Sequence, residues 1–266
     1  MLANGTTFPY GPRRPVPRYA AQDTRRAYYA AVSYVDENVG KILDALEAEG
    51  MANDTIVVFH ADHGYSLGEH GEWEKKSNWD LAVRVPLLVH VPWAPPAARG
   101  ARTAQIAELV DVFPTVAALA GLPPSAGTEG TDLSPLFRGG AVDKAAAYAQ
   151  YPACFAPGAP AGFDRARLNC NNVPKEDFYA MGYSVRVDSY RFTRWLRWNG
   201  TALGVNWDDG DRAGAHADEL YSHAGDAGFG PGNFDAFENK NLAQDPAHAA
   251  VAARLAAQLR AFFEKR

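Results

Sequence analysis

The sequence predicts an α/β fold in which helices cover a mostly parallel central sheet, joined to a small C-terminal antiparallel sheet with a helix of its own. Three observations carry that prediction. Thr55–His60 and Val85–Val91 are short, almost uninterrupted apolar runs, the pattern of strands covered on both faces. Helix-periodic segments lie around them, which favours an α/β arrangement over an all-β one. Beyond residue 177 the pattern changes to alternation, as in Ser184-Val185-Arg186-Val187, the pattern of a hairpin with one wet face.

Taken in order, residues 1–20 hold Pro9, Pro12, Pro15 and Pro17, whose locked φ favours an extended run. From Asp23 to Gly50, Tyr28, Ala31, Val32, Val35, Val39, Ile42, Leu43 and Leu46 recur at spacings of three and four, forming one apolar helix face. Asp23 suits the N-cap, and Gly50 suits the position past the C-terminus where a left-handed backbone is wanted. The first apolar strand follows; the second closes on Pro92, Pro95 and Pro96. Ile106–Val110 reads as a weaker strand, and Asp111–Ala120 as a short helix with Asp111 at its N-cap and Gly121 ending it. Residues 122–145 are rich in turn formers, and 152–177 form a loop of a length usually tied to function or disorder. Phe178–Val187 and Tyr190–Trp198 are strands on either side of the Asp188-Ser189 turn, with Glu219-Leu220-Tyr221 as a third. Residues 246–264 close the chain as a helix with Val251, Leu255, Leu259 and Phe262 on one face. This divides the chain into an α/β part, 1–150, and a long loop with a small antiparallel subdomain, 151–266.

Composition narrows the function classes. Apolar residues at 47% and charged residues at 21% are a globular balance within 266 residues. A net charge of −5 gives no electrostatic case for nucleic acid or an anionic membrane as partner. Two arginine clusters, one from Arg13 to Arg26 and one from Arg186 to Arg197, read as solvated surface. No apolar run is long enough to span a bilayer, and the first ten residues lack the blocks of a signal peptide. Asn4-Gly5-Thr6, Asn53-Asp54-Thr55 and Asn199-Gly200-Thr201 match the N-glycosylation acceptor pattern. Cys154 and Cys170 flank a loop rich in Ala, Pro and Gly. A bridge between them would stabilise the loop by roughly 3 kcal/mol in the chain-entropy model, and unpaired thiols are the other reading. The acceptor triplets and the lack of metal-type cysteine spacing favour the bridge.

The chemistry concentrates in Asp62-His63-Gly64-Tyr65-Ser66-Leu67-Gly68-Glu69-His70-Gly71-Glu72-Trp73-Glu74-Lys75, directly after the first apolar strand. In open α/β sheets, ligands bind beyond the carboxyl ends of strands. A carboxylate fixed at a strand exit suits a hard cation, whereas an imidazole is less selective. These two groups cannot complete a coordination shell, so further ligands must come from elsewhere. Taken alone, Asp-His-Gly reads equally well as a capped turn. Glu69 and His70 are expected to shape the loop, and Arg84 to serve as partner for a loop carboxylate. His60 and His90 are expected to be satisfied core histidines, while His216 and His223 have no supporting motif.

The longer pattern resembles a known family. Ala61-Asp62-His63-Gly64, Leu67-Gly68-Glu69-His70-Gly71-Glu72-Trp73-Glu74-Lys75 and Arg84-Val85-Pro86-Leu87-Leu88-Val89 are similar to the second half of a sulfatase of the alkaline phosphatase-like superfamily. His63 points to the branch acting on the 2-sulfate of a uronic acid, because many other sulfatases carry Asn there. Ser77-Asn78, Tyr28–Asp36, Gln150-Tyr151-Pro152, Met181–Arg186 and Tyr190–Thr193 extend the resemblance to the C-terminus. It implies a partial alkaline phosphatase-like sandwich, a secretory, lysosomal or extracellular setting, and a sulfated sugar or glycosaminoglycan as substrate. It also implies Asp62 and His63 as ligands of Ca²⁺, with Mg²⁺ the alternative, and Lys75 as the catalytic group that binds the sulfate ester. Tyr65 would stand at the substrate wall, or pack within the loop.

Sulfatases attack sulfur with a formylglycine made from Cys or Ser in a C/S-x-P-x-R motif, and this sequence has none; Cys154 is followed by Phe155-Ala156-Pro157-Gly158. The family's early pair of aspartates, with its early Lys and His, belongs to a first half that is expected to be missing here. The expectation is a truncated sulfatase, inactive by itself, whose partner is that N-terminal half. A non-catalytic pseudo-enzyme and a phosphoesterase relative on the same scaffold are the alternatives.

Overall fold

The computed structural model describes residues 16–154, 170, 173–208, 218–226 and 237–264. Of these, the residues up to Lys75 together with Arg84–Lys144 form one compact unit. Lys76–Val83 and the residues from Ala145 onward form the other.

The first unit opens with α1, Arg18–Ala48. It starts directly after Pro17, whose carbonyl accepts from the Ala21 N–H, so the helix begins five residues before the expected N-cap. Asp23 lies inside it and pairs with Arg26 at 3.0 Å. The C-terminus follows the expectation: Gly50 takes φ 70°, its N–H bonds the Glu47 carbonyl, and the Met51 N–H reaches the Leu46 carbonyl. Ala20 is the only buried residue of α1. The predicted apolar stripe faces outward, with Val32 at 50%, Val35 at 52% and Ile42 at 68% exposure.

Strand β1, Val57–His60, leads to a tight ribbon of β2, Ser66–Leu67, and β3, Trp73–Glu74, and the chain later returns as β4, Leu87–His90. Here the expectation of a mostly parallel sheet needs correcting. Among the described residues every strand pair is antiparallel, and β1 pairs with β4 through Val57 opposite His90 and His60 opposite Leu87. Apolar continuity reports that both faces of a strand suit cover; it carries no information about direction. His60 and His90 are exposed rather than core residues. Ile106–Val110 is not a strand; it enters a 3₁₀ turn, Leu109–Asp111, and then α3, Val112–Leu119. A small core of Val91, Ala94 and Leu119 lies against Ile56, Val89, Ala98 and Phe137.

Asp111 does more than the expected N-cap. It is fully buried, and its carboxylate accepts from the Glu108 and Thr131 N–H groups at 2.8 and 2.7 Å and from Lys144 Nζ at 2.8 Å. Lys144 also pairs with Glu108 at 2.7 Å. One carboxylate thereby ties Glu108, Thr131 and Lys144 together.

The second unit contains the short helix α2, Asp80–Val83, and a five-stranded antiparallel sheet. Its strands are β5, Ala147–Ala153, β6, Ala180–Val187, β7, Tyr190–Asn199, β8, Gly204–Val205, and β9, Asp218–Ser222. The hairpin β6–β7 and the third strand follow the sequence reading. Strand β5 does not: it was hidden by Pro152, which a sheet tolerates on an edge strand such as this one. Helix α4, Ala249–Phe263, covers the sheet. Val185, Phe192, Leu196, Leu220, Leu255 and Leu259 are at most 1% exposed, and burying each such side chain is worth about 2 kcal/mol. Cys154 and Cys170 are bonded, with Cα atoms 5.6 Å apart.

Candidate functional site

The Asp62–Lys75 loop owes its shape to glycine and to one arginine. Gly68 sits at φ 112°, where a Cβ would meet Arg25 Nη2 at 2.9 Å and Trp73 at 3.1 Å. Its N–H bonds the Glu72 carbonyl, closing the turn between β2 and β3, in which Leu67 pairs with Trp73. Glu69 shapes the loop as expected, its carboxylate accepting from the Leu67 N–H. Arg25 of α1 donates Nε to the Leu67 carbonyl at 2.9 Å and lays its guanidinium 5.7 Å over the Trp73 ring. Sequence reasoning missed Arg25, since nothing local distinguishes it from a solvated helix arginine.

Asp62 and His63 stand at the exit of β1. The Asp62 Oδ1 accepts the His63 N–H at 3.1 Å, while His63 Nδ1 lies 2.8 Å from the Gly64 carbonyl. A carbonyl only accepts, so Nδ1 carries the proton, and in the neutral ring Nε2 presents the lone pair. That lone pair lies 3.4 Å from Asp62 Oδ2, on side chains 34% and 84% exposed. Two lone-pair donors side by side suit a shared cation, so this donor pair fits two adjacent ligands of a metal ion. Tyr65 packs its ring 5.2 Å from Tyr28. Burial, then the Glu74 charge and Tyr28, push its phenol upward, so it stays neutral. Lys75 is exposed. Asn53 is exposed in a turn. Asn199 is exposed as well, with its amide oxygen accepting from the Thr201 and Ala202 N–H groups. Asn4 lies outside the described residues, as do His216 and the Cys154–Cys170 loop from 155 to 169.

A buried polar network in the second unit escaped the sequence reading. Arg191 is 1% exposed and donates to Glu238 and to the Asn78 carbonyl, with its guanidinium 5.5 Å from the Trp79 ring and 5.3 Å from the Tyr221 ring. Asn78 donates to the Gly182 carbonyl at 3.0 Å. Burial raises the Glu238 carboxyl, but the His223 bond, the Arg191 charge and bond, and the Asp80 N–H outweigh it and hold it at about 2. His223, which has no sequence motif, is 2% exposed at the centre of this network.

The architecture is that of the alkaline phosphatase-like fold. The structure superposes on phosphonate monoester hydrolase from Silicibacter pomeroyi with a TM-score of 0.65 at 23% identity, covering 92% of this chain and 42% of that one. It superposes equally on a protein solved with its substrate D-glucosamine-2-N,6-O-disulfate, with a TM-score of 0.66 at 24% identity over 92% and 41% of the two chains. Residues 4–122 match the sulfatase family model. The chain is 37% identical to iduronate 2-sulfatase of Mus musculus over 266 aligned residues, which cover 83% of this chain and 45% of the mouse protein. Against the Homo sapiens iduronate 2-sulfatase it is 35% identical over 264 aligned residues, with the same coverage. The chain thus spans less than half the length of these relatives, in their C-terminal half. Among the described residues no helix is long and apolar enough to cross a membrane.

Proposed function

We propose that this chain is the C-terminal part of a sulfuric ester hydrolase acting on sulfated glycans, with the 2-sulfate of a uronic acid as the substrate group. The observation that carries this reading is the pairing of Asp62 Oδ2 with His63 Nε2 at the exit of β1, in a stretch of the sulfatase family. Asp62 and His63 would hold Ca²⁺, with Mg²⁺ as the alternative hard cation. The bound ion supplies a fixed positive charge beside the ester. Lys75 binds the sulfate and offsets the negative charge that builds as the ester bond breaks, and Tyr65 forms part of the sugar wall. The formylglycine nucleophile and the remaining metal ligands come from an N-terminal sulfatase half. In this reading residues 1–150 complete the catalytic α/β domain, and 151–266 form the long loop and small antiparallel subdomain. The Cys154–Cys170 bond and the acceptor triplets at Asn4, Asn53 and Asn199 support a secreted or lysosomal glycoprotein.

The test is to join the chain, by fusion or co-expression, to a sulfatase N-terminal half carrying an intact C/S-x-P-x-R motif. The expected result is calcium-dependent hydrolysis of an aryl sulfate or a uronate 2-sulfate. Lys75→Ala should then lower kcat/KM by about 10²-fold or more. No hydrolysis with a matured nucleophile would refute the catalytic reading, and an unchanged Lys75→Ala would refute the role of the lysine. A non-catalytic chain that keeps a sulfated-glycan surface is the second reading, favoured by the absence of a C/S-x-P-x-R motif from this sequence.

A further inference from the structure

The second unit holds three side chains of metal-ligating type that the sulfatase reading leaves without a role. Asp80 opens α2, and His223 and Asp226 follow β9; each offers one ligand atom, and the three atoms lie within 4.8 Å of one another. Their side chains are 13%, 0% and 9% exposed. His223 Nε2 lies 3.0 Å from Glu238 Oε1, and Nδ1 lies 3.0 Å from Asp226 Oδ2. Glu238 acts as an acceptor throughout, taking the Arg191 Nε–H on the same oxygen and the Asp80 N–H at 2.9 Å on the other. A neutral His223 therefore places its proton on Nε2, facing Glu238, and turns the Nδ1 lone pair toward Asp226.

His223 Nδ1 and Asp226 Oδ2, 3.0 Å apart on side chains 0% and 9% exposed, are both groups that can ligate a cation. The network brings the carboxylates of Asp80, Asp226, Glu219 and Glu238 against the guanidinium groups of Arg186 and Arg191. Arg186 reaches Asp226 at 3.5 Å and Asp80 at 3.8 Å, while also donating to the carbonyls of Val187 and Asp188. We infer that Asp80, His223 and Asp226 form a second cation site, built from other residues than Asp62 and His63, that takes a divalent transition metal of the Zn²⁺ class.

The donor set decides the class. One imidazole nitrogen and two carboxylate oxygens match a zinc-type ion with bonds of about 2.1 Å, whose donors then stand about 3.4 Å apart. The His223–Asp226 separation of 3.0 Å is close to that, and the Asp80 ligand atom lies within 4.8 Å of the other two. Ca²⁺ asks for about six to eight oxygens, which this group does not offer. The Glu238 carboxylate on the far imidazole nitrogen is the usual outer partner of a metal-bound histidine, fixing its tautomer and ring orientation. The bound ion would clamp Lys76–Val83, which directly follows Lys75, to the turn after β9.

The experiment uses the full chain, stripped with chelator, in an Asp62→Asn/His63→Gln background that leaves this site as the one assayed. Zn²⁺ is titrated by calorimetry, and Co²⁺ is followed by its visible absorption. The expected result is one equivalent of metal, a rise in Tm with Zn²⁺, and a Co²⁺ spectrum showing nitrogen ligation. His223→Gln should weaken binding at least tenfold; Asp226→Asn, which keeps shape and volume, should do the same if His223→Gln fails to fold. A background chain that takes up no metal would overturn the proposal. Binding unchanged in the foldable variant would overturn it equally.

Discussion

At the residue scale, buried charges do the most specific work. Lys144 is a clear case. Burial disfavours its charge, but the bonds to Asp111 and Glu108 win and raise its pKa above the ordinary 10.5. A raised value on a base means the stabilisation is fully present below pH 10.5 and fades as pH climbs through the higher folded value. Lys144→Met leaves Asp111 buried without its counter-charge, so the first unit should lose about 3–5 kcal/mol near neutrality. The variant should also lack the alkaline fall in stability that the parent shows. Urea unfolding across pH checks both, and an unchanged alkaline limb would refute the assignment. A second residue-scale prediction concerns space. A Cβ on Gly182 would meet Asn78 Nδ2 at 2.6 Å and Trp195 at 2.7 Å, whereas on Gly204 its nearest contact is 3.9 Å away. Gly182→Ala should cost about 1–3 kcal/mol, and Gly204→Ala within about 0.5 kcal/mol of nothing. Equal losses in thermal unfolding would contradict that reading of the packing.

At the element scale, α1 stands out because a regular amphipathic helix shows its apolar stripe to solvent. Leu88 on β4, at 58% exposure, and Phe59 on β1, at 41%, add to the uncovered apolar surface of the same unit. Exposure on this scale is uncommon on a free-standing domain and marks surface meant for cover. Under the proposed function, the N-terminal sulfatase half would cover it. Val35→Asp with Ile42→Asp should therefore change this chain's own unfolding by less than about 0.5 kcal/mol. The same pair should abolish association with that half, read by co-purification and by recovery of hydrolysis. Loss of fold in the isolated chain, or undiminished association, would show that the stripe serves another purpose.

At the scale of the whole molecule, the two units differ in how legible they were. The β6–β7 hairpin, the third strand and α4 could be read from alternation and periodicity because their contacts are local in sequence or their stripes meet a core within the same unit. The helix end at Gly50 was legible for a related reason, since a left-handed residue past a helix is a local requirement. The contact between Asp62 and His63 was legible because the two groups are neighbours in sequence. Arg25 and His223 were not, because each acquires its role from groups far along the chain, Leu67 and Trp73 for one and Glu238 for the other. Strand direction was not legible either, since β1 and β4 have the same apolar content whichever way they pair. By itself, the sequence determined the match to the family model, the long helices and the β6–β7 hairpin. Tertiary structure alone decided which strands pair and in what sense, which apolar faces are left bare, and which distant carboxylates surround His223. The physical reason is that hydrogen-bond pairing and desolvation of charge depend on neighbours in space, and a linear pattern records only the demand for them.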